Sequence, residues 1–148
     1  MVWSTWTEAG KSRQLRRPLL DAERNMLEAR KAELEPWVAP FDRSADTKVA
    51  LALSDMFGGF TSMRQSGEEA AARLDAAMRV LSDFPAWAIE KACRSIQANG
   101  VWRDGKFERQ WPPSDAEIIK EVRDQVRLYM DVYRSAVSLL TAEVEDEA

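Results

Sequence analysis

The sequence predicts an all-α fold: a single helical domain of about five helices, with a short hairpin-like loop before a long C-terminal helix. Three observations predict it. Apolar residues recur at three- and four-residue spacing through most of the chain, the period of one helix face. Proline and glycine punctuate those runs at Pro36, Pro40, Gly58-Gly59, Gly100 and Pro112-Pro113. The last run, from Ser114 to about Thr141, contains neither. Composition divides the chain into a flexible basic arm (residues 1–17), a helical domain (18–142) and an acidic tail (143–148).

The arm has no clear period, and it is expected to be mobile or ordered by a partner. Pro18 suits a first helical turn, where its missing N–H costs little. Leu19, Leu20, Glu23, Met26, Leu27, Arg30 and Leu34 then follow a helical spacing, so a helix is predicted over about 18–35, stopped by Pro36. Trp37, Val38 and Phe41 are expected to pack back on the body. Ser44 is the expected cap of a second helix, whose buried side would hold Val49, Leu51, Ala52, Leu53, Met56 and Phe57. Gly58-Gly59 would end it through a left-handed C′ residue. A third helix follows Ser66 or Gly67, with Glu68 and Glu69 in its first turn and Ala70, Ala71, Leu74, Ala77, Met78 and Leu81 as its stripe.

A fourth helix starts near Ser82 or Asp83, has Pro85 early, and ends at Asn99-Gly100. Trp87, Ala88, Ile89, Ala92, Cys93 and Ile96 recur along it. Between it and the last helix, Asp104-Gly105 flanked by Trp102 and Phe107 signals a tight hairpin turn. The last helix opens on Ser114-Asp115-Ala116-Glu117, a capping box behind two prolines: Ser114 can accept from the N–H of Glu117, whose carboxylate can accept from the N–H of Ser114. Ile119, Val122, Val126, Tyr129, Tyr133, Ala136 and Leu140 are spaced 3, 4, 3, 4, 3, 4, a heptad seam. The seam either packs on the other helices of the chain or meets a partner, with Val126, Tyr129, Tyr133 and Leu140 as the candidate partner-binding residues.

Composition removes whole classes of chemistry. The chain has no histidine, so Ser-His-Asp or Cys-His catalysis and histidine-ligated zinc are unavailable. One cysteine, Cys93, forms neither an internal disulfide nor a cysteine cluster, and its place on an apolar stripe makes it a small core residue. No residues show metal-ligand spacing, and Gly58-Gly59 lacks the lysine of a phosphate loop. No catalytic residue, metal or cofactor is therefore expected. No apolar run approaches the roughly 20 residues of a membrane span, and the chain does not begin like a signal peptide. With its single thiol it is expected to be cytoplasmic.

Charge is unevenly placed. The net charge is −4, and Glu143, Glu145, Asp146 and Glu147 crowd the end, whereas Lys11, Arg13, Arg16 and Arg17 fall within seven residues without an acid. A second basic-aromatic stretch holds Trp102, Arg103, Lys106, Phe107, Arg109 and Trp111. Bases stack on aromatic faces and phosphates meet cations, so Lys11, Arg13, Arg16, Arg17, Trp102, Arg103, Lys106 and Arg109 are the candidate contacts to single-stranded DNA. The competing reading, preferred here for 101–111, is that Trp102, Phe107 and Trp111 pin the ribbon to the core.

Three stretches also carry a family resemblance: Val80-Leu81-Ser82-Asp83-Phe84-Pro85, then Ile89-Glu90-Lys91-Ala92-Cys93, then Trp111-Pro112-Pro113-Ser114-Asp115-Ala116-Glu117-Ile118. Their order resembles small phage and prophage replication proteins, the loaders and inhibitors of a replicative helicase, over roughly residues 49–122. The resemblance implies a helical, non-enzymatic protein that binds a hexameric helicase, blocks or holds its ring, and delivers it to DNA. Two alternatives stand beside it: a nucleic-acid-binding regulator, and a helical adaptor or assembly protein that forms a homo-oligomer through the last helix.

Overall fold

The computed structural model describes residues 4–6, 13–15, 17–60 and 67–144. Five α-helices dominate them: α1 (Asp21–Val38), α2 (Asp46–Gly58), α3 (Gly67–Val80), α4 (Ala86–Asn99) and α5 (Asp115–Thr141). The fold is thus mainly all-α, with the long last helix where the sequence places it. Strands β1 (Ser4–Trp6), β2 (Arg13–Leu15) and β5 (Glu143–Val144) form one small sheet; β3 (Val101–Arg103) and β4 (Lys106–Glu108) form a hairpin.

The chain falls into two compact units. One comprises residues 1–38 with 128–148, the other residues 39–127. In the first, β1 pairs antiparallel with β2, and β2 pairs parallel with β5. The sequence read these strands as a flexible arm and an acidic tail. Strands of two or three residues are too short to show a period of two, and their pairing uses backbone groups. Arg17 forks onto Glu23 at 2.8 and 3.0 Å, and the Leu20 N–H donates to the same carboxylate at 2.9 Å. The Arg17 hydrogen bond, then that of Leu20, lowers the Glu23 carboxyl to about 2.

Several details of the α1–α2 region differ from expectation. Pro36 lies inside α1 rather than stopping it. A proline in the last turn forfeits one intrahelical bond near an end that frays anyway, so the helix continues to Val38. Trp37 is 47% exposed, and its ring stacks on Tyr129 at 5.8 Å, with the planes 13° apart. Leu20 and Met26 are exposed as well, and the buried residues of α1 are Leu34 and Val38. Ser44 does not cap α2. It sits in a 3-10 turn, Arg43–Ala45, whose N-cap is Asp42, with the Asp42 carboxylate accepting from the Ser44 N–H at 3.0 Å. Gly59 closes α2 with φ −78°, a right-handed residue, so no left-handed cap is used.

The core belongs to the second unit. Val49, Leu53, Met56 and Phe57 of α2 meet Ala88, Ile89, Ala92, Cys93 and Ile96 of α4, with Ala77 and Leu81 from the α3 side and Ile118, Val122 and Val126 from α5. Leu53, Met56, Ile89 and Ile118 are wholly buried. Each such side chain contributes roughly 1.5–3 kcal/mol relative to exposure. Leu51, predicted inside, is 62% exposed: positions 49, 53, 56 and 57 define the inner face of α2, and 51 falls opposite. Cys93 is a buried core residue, and desolvation pushes its thiol up to about 12. On α5 the buried line in this unit is Ile118–Val122–Val126, offset from the predicted seam because Ile119 is only partly covered.

Candidate functional site

The hairpin is built by its turn. Asp104 and Gly105 both have positive φ, 51° and 78°, the backbone of the two-residue turn that matches strand twist. The register pairs Val101 with Glu108, Trp102 with Phe107, and Arg103 with Lys106. Alternation along a strand then sends Val101 and Arg103 one way and Trp102 the other. The entry from α4 is fixed by Gly100, whose φ is 82°; a Cβ there would lie 2.4 Å from the Glu108 carbonyl oxygen. No other residue fits without moving the strand.

A two-stranded ribbon of this size is marginal by itself. Arg103 attaches it to α5. Its Nε donates to Glu117 Oε2 at 2.8 Å and its Nη2 to Glu117 Oε1 at 2.6 Å. The Nη2 also donates to the Pro112 carbonyl at 2.9 Å, the Nη1 to the Trp111 carbonyl at 3.1 Å, and the Nη1 to Glu108. One planar fork thus ties the first strand to the second, to the Pro-Pro lead-in and to the first turn of α5. Glu117 meanwhile completes the capping box, accepting from the Ser114 N–H at 3.0 Å, while Ser114 Oγ accepts from the Glu117 N–H at 3.2 Å. The Arg103 hydrogen bond, more than the capping contact, holds the Glu117 carboxyl down at about 2. Glu117 in turn raises the Arg103 guanidinium above its ordinary value. A second clamp comes from α3: Arg73 Nη2 donates to the Pro113 carbonyl at 2.9 Å, and Nη1 bonds Asp115.

The preferred reading of this stretch is therefore reversed in one respect. The preferred sequence reading had Trp102, Phe107 and Trp111 pin the ribbon, and the competing one gave its rings and cations to single-stranded DNA. Instead Arg103 pins it, and Arg109 donates to the Ala98 carbonyl at the end of α4. The rings are displayed: Trp102 is 57% exposed, Phe107 56% and Trp111 58%. Trp102 and Phe107 meet edge to face, with centroids 4.9 Å apart and planes at 76°. Beneath them is a cleft of about 150 Å3 whose wall includes Ser95, Asn99, Val101, Lys120 and Glu121.

The remaining candidate residues are placed as follows. Lys11 and Arg16 lie outside the described residues, as do Glu145, Asp146 and Glu147 of the acidic segment. Arg13 is in β2, and Arg17 is engaged by Glu23. Lys106 is exposed beside the turn. Of the partner-binding set, Val126 is 2% exposed and belongs to the core, Tyr129 is 38% exposed and stacked on Trp37, and Tyr133 and Leu140 are half-buried. Ser95, Asn99, Lys120 and Glu121 were not singled out from the sequence. Their one signal is spacing, since each lies within a helix turn or two of a residue that borders the hairpin.

Among the described residues no helix is long and apolar enough to cross a membrane, and no three acidic or cysteine side chains gather to hold a metal. No family model matches the chain, and neither does any curated protein or solved structure.

Proposed function

We propose that this chain is a non-enzymatic accessory protein of phage or prophage DNA replication that binds a replicative helicase and loads or inhibits it. The hairpin between α4 and α5 is its contact surface. The observation that carries the reading is the display of Trp102, Phe107 and Trp111 on a ribbon whose arginine is turned inward. Large exposed rings on a rigidly held element are the usual anchors of a protein interface. Trp111 opens one of the stretches that resemble the helicase loaders, Trp111 to Ile118, and Trp102 and Phe107 lie between it and the preceding one, Ile89 to Cys93.

The small excess of cations in 101–111, Arg103, Lys106 and Arg109 against Asp104 and Glu108, favours a protein over DNA as the hairpin's partner. Arg103 is committed to Glu108 and Glu117, which leaves Lys106 and Arg109 as the exposed cations of the stretch, and Arg109 also donates to the Ala98 carbonyl. Contact with phosphate needs several. The cargo is then held by shape and apolar area, and the accessory protein needs no reacting group of its own.

Titration of purified replicative helicase with the chain tests this. Binding is expected, together with a change in the helicase ATPase rate, and Trp102→Ala with Phe107→Ala should weaken binding at least 10-fold. Absence of binding, with an unchanged ATPase rate across the titration, would overturn the reading.

A further inference from the structure

We draw no further inference here: the strongest candidate, the half-buried apolar side of the C-terminal half of α5 formed by Met130, Val132, Val137 and Leu139, carries nothing because nothing in the structure shows what covers it.

Discussion

Replacing Arg103 with alanine should release the hairpin from α5 and leave most of the helical core standing. Five hydrogen bonds go with the guanidinium, three of them to carboxylates. Charged hydrogen bonds contribute about 1.5–3 kcal/mol each when well buried. The Arg103 side chain is one-quarter exposed and its partners Glu108 and Glu117 are similar, so water replaces much of what is lost. A net cost of about 2–3 kcal/mol follows, well below the sum of the parts. In a cooperative unit of this size each kcal/mol lowers Tm by roughly 4 °C, giving a fall of about 8–12 °C by circular dichroism. Arg103→Lys keeps the charge but not the fork, and it should recover less than half of the loss. Hydrogen exchange adds a local readout: the β3 and β4 amides should lose protection well before those of α2 and α4. A Tm within about 2 °C of wild type, with hairpin protection unchanged, would refute the assignment of Arg103 as the clamp.

Other substitutions separate what is held from what is displayed. Trp102→Ala should cost under about 1 kcal/mol in denaturant unfolding because the ring is more than half exposed; a loss near that of a core tryptophan would mean the ring is structural. Gly100→Ala should cost about 2–4 kcal/mol from the positive φ and the collision with the Glu108 carbonyl, read as a lower denaturation midpoint. Val126→Glu should unfold the second unit, whereas Tyr133→Glu, at a half-buried position, should be tolerated better; near-ultraviolet dichroism and sedimentation compare the two. The folded-state pKa of Glu117 is depressed, so its contribution is fully present above the unfolded value of 4.5 and is lost as pH falls towards about 2. Hairpin protection should therefore decline across that acid range, and the decline should be absent in Glu117→Gln.

Much of the helical frame was legible because its signals are local. The Ser114–Glu117 box forms both of its bonds, and Asp104-Gly105 makes the turn that the dipeptide favours. Gly100 ends α4 with a positive φ. Errors arose where tertiary surroundings decide. Ser44 is a good cap by composition, but it falls inside a 3-10 turn capped by Asp42, and the N-cap of α2 is Ala45, which makes no side-chain bond. Pro36 is a helix breaker by propensity, yet one turn from an end it costs little. Leu51 has the right hydrophobicity and the wrong angle around α2. The division into two units was not legible either, since α5 runs without a break through residues assigned to both, and no Gly or Pro marks the change.

The exchange of roles in the hairpin has a physical cause that composition conceals. A stretch with three rings and three cations can bury either set, and hydrophobicity alone says to bury the rings. What decides is the supply of acceptors on the inner face. The Pro112-Pro113 lead-in cannot continue a strand or an early helical turn, so the Trp111 and Pro112 carbonyls have no regular partner nearby. Glu117 stands above them with one carboxylate already aligned by the capping box. A planar fork satisfies all three at once, and neither a tryptophan nor a lysine does. Once Arg103 is drawn inward, the period of two puts Trp102 and its cross-strand partner Phe107 on the opposite face. The exposed rings thus follow from the internal hydrogen bonding of the lead-in, and so does the cleft they cover. A sequence that kept Trp102 and Phe107 but replaced Glu117 with an apolar residue should turn the ribbon over, bury its rings and lose the partner surface without losing its hydrophobic pattern.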